Sequence, residues 1–345
     1  MTTTTIFGQW DFQVSQVLDN LNDVYCVTED LVFVVGENGR ILKTSDGGVN
    51  WVVKTSGTTQ QLNRVQFANA SIGYAVGNNG TILKTIDSGE NWAAITTTIN
   101  NHYSGLSVVD QNTFFVSGNG GLVQKSIDGG VSFTSLNIQS TNNVLDIQFF
   151  GEQIGYAQVG YSDQLYKSGI LLKTTDGGTN WSIIVNDNVY SFHFLNENIG
   201  FINNENKSLF KTTNGGQNFA MMYSNYGYVV DLYTSNENLV WNIENRLALC
   251  GCDNTVINKM DFDPLGSISE SYFGPSGNLS SIYFVNETTG YTVGKFGEIY
   301  KNTNGINTST IPYNSVSQFE KKNSNKYCSK SCDRFFENKF QRTIT

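Results

Sequence analysis

The chain has 345 residues, 39% of them hydrophobic and only 15% charged, with three prolines and a net charge of −9. Residues 1–314 hold 14 Lys+Arg against 27 Asp+Glu, a balance of −13, whereas residues 315–345 hold 7 against 3, a balance of +4. An acidic body argues against nucleic-acid backbones and anionic lipid as main partners, and no apolar run reaches the ~18 residues of a membrane span. Little charge with much Asn, Thr, Ser and Gly suits short strands joined by polar turns.

The chain opens without a basic start or an apolar stretch, so no signal peptide is expected. Residues 6–18, around Phe7-Gly-Gln-Trp-Asp-Phe-Gln-Val14, have strand character and precede a repeat. They are expected to pair in the last repeat unit, replacing or extending its outer strand. The repeat begins near Leu21. Gly36-Glu-Asn-Gly-Arg-Ile-Leu-Lys-Thr-Ser-Asp46-Gly-Gly-Val-Asn-Trp51 returns as Gly77-Asn-Asn-Gly-Thr-Ile-Leu-Lys-Thr-Ile-Asp87-Ser-Gly-Glu-Asn-Trp92. A third copy runs from Gly118 to Asp128 and Phe133, so the Asp residues are 41 apart each time. Asp176 with Trp181, Asn214 with Phe219, and Asn304 continue the series, and a degenerate copy is expected near 256–263. That makes seven units between about residues 21 and 312.

Each unit reads as four strands. In the second, Leu62–Phe67, Gly73–Gly77, Thr81–Thr85 and Trp92–Ile95 are bounded by Asn/Asp/Gly clusters, a hairpin signal. A step of seven links Phe67 to Tyr74, and the same step ends on Phe33, Phe115, Tyr156, Phe201 and Tyr291, as a packing layer requires. A four-stranded unit cannot bury both of its faces alone, whereas radial stacking buries them. The expected fold is all-β: a seven-bladed β-propeller of antiparallel blades over residues 1–314, closed by the N-terminal strand. Residues 315–345 are expected to be a basic appendage.

The phrase Lys-Thr-x-Asp-Gly-Gly-x-x-Trp resembles the Asp-box, or BNR repeat. Its longer form, led by Gly-Tyr-Ala-Val-Gly, resembles the propellers related to photosystem II stability/assembly factors, over about residues 21–312. The resemblance implies a binding or assembly module that acts on a membrane-protein complex or as a secreted surface module, and it leans towards an extracytoplasmic setting. It also implies a basic arginine patch, but the body holds only Arg40, Arg64 and Arg246. Asp-boxes occur too in sialidases and xyloglucan-degrading enzymes, so a glycoside hydrolase is the alternative. The box explains itself without a ligand. Its Asp can accept bonds from its own turn, its glycines supply positive φ, and its aromatic buries against a neighbour. Asp46, Asp87, Asp128 and Asp176 are read this way, and Asn214 and Asn304 fill the same role without charge.

In an up-and-down blade the Asp-box turns all share one end, and the irregular segments lie on the opposite face. There unit four inserts Tyr161–Ser168, unit six expands over Asn245–Thr255, and the Pro264–Asn278 connector is long. Tyr103, Tyr161, Tyr166, Tyr226, Tyr228, Tyr272 and Phe296 are the candidate platform for a protein or glycan partner. Nothing marks a catalytic pair among Asp163, Asp231, Asp253 and Asp263, the carboxylates a glycosidase would need. Only His102 and His193 exist, and His193 is expected to fill or line the central channel. Of the five cysteines (Cys26, Cys250, Cys252, Cys328, Cys332), none is accompanied by the His expected of a zinc site. The reading is a non-catalytic monomer: no cofactor, no metal, no nucleic acid, no transmembrane segment.

Overall fold

A computed structural model describes residues 9–97, 99–162, 167–224, 228–247, 253–263, 266–273 and 279–303; for residues 9, 162, 167, 245–247, 253–254, 263 and 266–273 it describes the backbone alone. In chain order, β1 (Gln9–Gln13) precedes β2 (Leu21–Cys26), β3 (Val32–Gly36), β4 (Ile41–Thr44) and β5 (Val52–Lys54). Then come β6 (Leu62–Phe67), β7 (Gly73–Gly77), β8 (Ile82–Thr85) and β9 (Ala93–Ala94), followed by β10 (Tyr103–Val108), β11 (Phe114–Gly118), β12 (Leu122–Ser126) and β13 (Thr134–Asn137). The next strands are β14 (Asn143–Phe150), β15 (Ile154–Ser162), β16 (Lys167–Thr174), β17 (Ser182–Phe194), β18 (Gly200–Asn204), β19 (Ser208–Thr212) and β20 (Ala220–Ser224). Last are β21 (Tyr228–Thr234), β22 (Leu239–Leu247), β23 (Asp253–Asp263), β24 (Gly266–Phe273), β25 (Leu279–Phe284), β26 (Thr289–Gly294) and β27 (Ile299–Thr303).

The protein is all-β, and the only helical pieces among the described residues are three single 3₁₀ turns. Strands β2–β5, β6–β9, β10–β13 and β21–β24 each form a four-stranded antiparallel meander. The last sheet has the order β1-β27-β26-β25, so the N-terminal strand is its outer strand, with Trp10 opposite Asn302. Strands β14–β20 form one seven-stranded sheet, where separate four-stranded units were expected. The cause is β17, whose 13 residues run without a break. Its first half pairs with β16 and its second half with β18. Two further expectations change. Strands β15–β16 and β22–β23 are long hairpins rather than loop insertions. The 264–278 connector contains a strand, β24, with Tyr272 opposite Ile257 and Phe273 opposite Val256.

Strands β3, β7, β11, β18 and β26 are buried at every residue, and β15 is buried from Gly155 to Gly160 before it reaches exposed Tyr161. Both faces of each sheet therefore pack on neighbours. Phe33 and Val35 of one sheet join Leu62, Val65 and Phe67 of the next in one cluster, and Leu21, Val24 and Val34 join Tyr291 and Val293 of the last. Gly36, Gly77 and Gly118 end such strands for steric reasons. A Cβ on any of them would lie 2.0–2.2 Å from the carbonyl oxygen of Asn20, Gln61 or His102.

The lysine of the repeat couples the sheets. Lys43, Lys84, Lys125, Lys173, Lys211, Lys259 and Lys301 each lie 5.3–5.9 Å over the ring of the residue paired with them on the second strand, a cation–π contact. Four of these ammonium groups then donate to a turn carbonyl of the following repeat unit: Lys43 to Ser88, Lys84 to Gly129, Lys173 to Gly215, and Lys301 to Gly47, at 2.7–3.0 Å.

Ser117, Gln158 and Asn203 are buried at the place that Val35 and Val76 hold in the first two sheets. Ser117 and Gln158 donate to Val144 O and Val189 O, whereas one seam leaves amide atoms unpaired. Asn203 shares a face with Leu209, its cross-strand partner, and Asn242 alternates with Val240; Leu209 and Val240 belong to the same cluster between β18–β19 and β22–β23. The Oδ1 of Asn203 and the Nδ2 of Asn242 are buried there without a partner. Val35 holds the place of Asn203 in the first sheet, opposite Asp23 as Asn203 is opposite Ser191. An unpaired buried amide costs about 1–3 kcal/mol. Asn203→Val is therefore expected to raise the urea midpoint by about 1 kcal/mol equivalent at unchanged m-value, and Val35→Asn to lower it by more. If Asn203→Val is neutral or destabilising, the seam is satisfied in solution.

Candidate functional site

The first strand of every repeat unit, which in the fifth is the second half of β17, carries a β-bulge. The register slips between Leu21 and Asp23, Leu62 and Arg64, Tyr103 and Gly105, and Val144 and Asp146. It slips again between Val189 and Ser191, Val229 and Asp231, and Leu279 and Ser281. A bulge gives one extra residue and re-aims its neighbours. Here the extra residue reaches the next sheet: Asn22 Nδ2 donates to Leu62 O at 2.7 Å, Asn63 Nδ2 to Tyr103 O at 2.6 Å, and Ser104 Oγ to Val144 O at 2.6 Å.

The residues after the bulge point into a cavity of about 140 Å³ lined by β2, β6, β10, β14, β17, β21 and β25. Asp23, Arg64, Asp146 and Asp231 form its charged tier. Arg64 Nη2 lies 3.1 Å from Asp146 Oδ2, and both side chains stay partly solvated, at 21% and 32% exposure. Asp23 accepts from Val65 N at 2.9 Å and from Ser281 Oγ at 3.0 Å, tying three sheets. Asp231 accepts from Ile282 N at 2.9 Å. Two residues further on lies a neutral tier. Gln66 accepts from Val108 N, Ser107 from Phe149 N, Gln148 from Phe194 N and His193 Nδ1 from Thr234 N. Rings of His193, Tyr233, Tyr283 and Tyr25 follow one another at 4.6–4.8 Å between centroids.

Of this polar axis, His193 was expected at the channel from the sequence, and Arg64 and Asp231 were named there only as one of three arginines and as one of four carboxylates. The 41-residue spacing of Asp23, Arg64, Gly105 and Asp146 was the available signal. Burial sets its ionisation. It pushes the Asp23 carboxyl up to about 6, against Arg64 and the Val65 N–H and with help from Asp231. It pushes His193 down to about 4, against Asp146. It also raises the phenols of Tyr25, Tyr233 and Tyr283, which stay protonated.

The Asp-box turns are built alike. Oδ1 of Asp46, Asp87, Asp128 and Asp176 accepts the backbone N–H four residues on at 2.8–2.9 Å and the Thr or Ser hydroxyl two residues before. Asn214 accepts the same two bonds. Gly47 and Gly48, with φ of 69° and 90°, make the turn possible. Hydrogen bonds from Asn91 and from Ser132, side chain first, hold Asp87 and Asp128 down at about 2; those from Asn50 and Asn180, backbone first, lower Asp46 and Asp176. Trp51 and Trp92 are buried, Trp51 edge-on to Tyr291 and Trp92 to Phe33 and Phe67. Trp181 and Phe133 lie edge-on to Phe149 and Phe114, and Phe219 packs partly buried beside Tyr156 and Phe194. Asn304 lies outside the described residues.

The expected aromatic platform divides. Tyr161 and Phe296 are 72% and 64% exposed. Tyr228 is half-buried, edge-on to Tyr190 and under Lys207. Tyr103 belongs to the core instead: it is fully buried, its hydroxyl donating to Gln124 Oε1 at 2.9 Å, because it begins β10 in the inter-sheet layer. Tyr272 lies in an outer strand, not in a connector. Tyr166, Tyr226, Asp163 and the tail lie outside the described residues, as do Cys250, Cys252, Cys328 and Cys332; Cys26 is free and buried. Of the other carboxylates considered for hydrolysis, Asp231 lies in the axial cavity, whereas the side chains of Asp253 and Asp263, like that of Arg246, are not described. Among the described residues no three His, Cys, Asp or Glu side chains are grouped to hold a metal, and no helix is long and apolar enough to cross a membrane.

The two buried titrations oppose each other. Asp23, raised in the folded state above its unfolded ~3.9, contributes stability that is present below pH 4 and lost as pH rises through about 6. His193, depressed below its unfolded ~6.5, contributes stability that is present above that pH and lost as pH falls through about 4. Asp23→Asn is expected to leave only the second slope, losing on the order of 2–3 kcal/mol on acidification from pH 7 to 4. His193→Gln keeps the Thr234 bond, as Gln66 and Gln148 do in their own sheets, and is expected to lose a similar amount from pH 4 to 7. Urea titrations across that window test this; parallel profiles for the two variants would refute it.

Residues 3–99 match the family model described as photosynthesis system II assembly factor YCF48. Among solved structures, one of YCF48 bound to D1 peptide is 15% identical with a TM-score of 0.70, covering 87% of this chain and 98% of that one. YCF48 from Cyanidioschyzon merolae is 16% identical with a TM-score of 0.66, over 85% and 98%. The WD40 repeats of RRP9 are 10% identical with a TM-score of 0.65, over 86% and 99%. No curated protein matches. The chain is thus an Asp-box repeat β-propeller that resembles the photosystem II assembly factors.

Proposed function

We propose that the protein is a non-catalytic assembly module: a seven-bladed propeller over residues 1–314 that presents the face opposite its Asp-boxes to an extended segment of a protein partner. The blade count is supported by seven first strands around one cavity and by β17 serving two units. Ring closure is supported by β1 on β27, by the Lys301 bond to Gly47, and by the cluster joining Leu21 to Tyr291.

Phe296 carries the choice of face. It sits at the tip of the Lys295–Gly297 turn with a φ of 58°. The matching tips are Asn38, Asn79 and Gly120, residue types that tolerate this left-handed region. A phenylalanine there costs about 1 kcal/mol or more, and its ring is 64% exposed, so turn stability did not select it. Its N–H is anchored on Asn20 Oδ1 at 3.2 Å, which holds the ring outward. Exposed aromatics on rigid scaffolds are the usual anchors of protein interfaces. The peptide in the YCF48 complex shows what a propeller of this shape can hold.

A peptide array of exposed segments from membrane-complex subunits, probed with the full chain, tests the reading. Binding is expected to fall about tenfold, ~1.4 kcal/mol, in Phe296→Ser and in Tyr161→Ser, and to be unchanged in Val131→Ser on the Asp-box side. Retained binding in the first two, or loss in the third, refutes the face. Turnover of a glycoside by the same protein would replace the module with a hydrolase.

A further inference from the structure

The Asp-box side has chemistry of its own. The first hairpin turn of each sheet lies there, and Glu152, Glu197, Glu237 and Glu287 tip four of these turns, all exposed. The Asp-box carboxylates beside them are held ionised by their own turns. Lysines cancel only part of this charge: Lys125 pairs with Glu152, and Lys43 and Lys54 pair with Glu90, whereas Lys84, Lys173 and Lys301 reach turn carbonyls. Between β14, β17–β19 and β21 the turns leave an open depression of about 560 Å³. Phe150 and Ile199 give it an apolar wall, and Glu197 and Glu237 give it two carboxylates.

The chain itself supplies a matching segment. β27 ends at Thr303, paired with Thr289 beside the Glu287 turn, so the chain departs on the Asp-box side. The sequence continues to residue 345, and its last part is basic, in contrast to the −13 of the body. Arg334-Phe335-Phe336-Glu-Asn-Lys339-Phe340-Gln-Arg342 combines aromatic rings with three cations. At about 3.3 Å per extended residue, the 30 residues from 304 to 333 span up to roughly 100 Å, enough to reach any part of that face.

We propose that residues 334–342 dock in cis into this depression, with Phe335 and Phe336 against Phe150 and Ile199 and the cations against Glu197 and Glu237. The tail then masks the acidic side and leaves the opposite face to partners. This inference does not depend on which partner that face takes.

Zero-length carbodiimide cross-linking of the full chain, mapped by mass spectrometry on the monomer fraction, tests it. Lys330 and Lys339 are expected to link to Glu197 or Glu237. Phe335→Ser/Phe336→Ser is expected to cut those links at least about fivefold, while the Lys54–Glu90 link, from a 2.6 Å ion pair, stays constant as the internal control. Links spread over both faces, links that survive the double substitution, or links confined to a dimer fraction would each overturn docking in cis.

Discussion

A strand buried at every residue needs cover on both sides, and β3, β7, β11 and β18 are such strands. An isolated four-stranded sheet gives its second strand no cover at all. The sequence makes these strands mainly from Val, Phe, Ile, Tyr, Ala and Gly, with Ser117, Asn203 and Asn204 as polar members, so each sheet has two largely apolar faces and must stack between two others. Radial stacking would satisfy every sheet at once and leave only short outer edges. The aromatic near the start of the second strand and the lysine across from it follow from that demand. The ring fills the seam, and the ammonium caps it by reaching the next turn.

Stacking brings the first strands together on an axis, where backbone groups would otherwise be stranded. The bulge resolves this. In the first three units it frees a side chain, Asn22, Asn63 or Ser104, to reach a carbonyl of the next sheet, and it aims the following residue inward. Asp23, Gln66, Ser107, Gln148, His193 and Asp231 each accept a backbone N–H from a neighbouring first strand. The polar axis is therefore structural before it is anything else. Three carboxylates against one arginine in a small cavity nevertheless leave it acidic, which suits neither a phosphate nor a carboxylate ligand.

Much of this was legible. The Asp-box spacing marked the turns, the seven-residue step marked the buried aromatics, and Trp10 with its neighbours marked a strand seeking an edge. Local chemistry dictates each of these. The bulge was not legible, because nothing in Asn22 or Asn63 alone announces an extra residue; it shows only when first and second strands are aligned. Tyr103 was misplaced for a related reason. Its position four residues before Ser107 looked like a loop, yet its bulged strand starts there and turns the ring inward. Tyr272 was misplaced because β24 lacks an Asp-box turn before it, and the joining of two units through β17 was not read because nothing in Ser182–Phe194 announces one continuous strand.

The same regularity separates what is architectural from what is not. At a position repeated around the molecule, a residue type that serves the turn needs no further cause: Asn38, Asn79 and Gly120 all accept a left-handed backbone. Phe296 occupies that conformation at the same kind of tip and gains nothing from it within the fold, since its ring is exposed rather than packed. Asn203 and Asn242 are exceptions inside, each with an unpaired amide atom where Val35 and Ala75 are apolar. An exception buried in a seam lowers stability locally, whereas one on a rigid tip leaves the core untouched and changes only what the surface can hold. The departure at Phe296 is therefore the kind that function can retain at little structural cost.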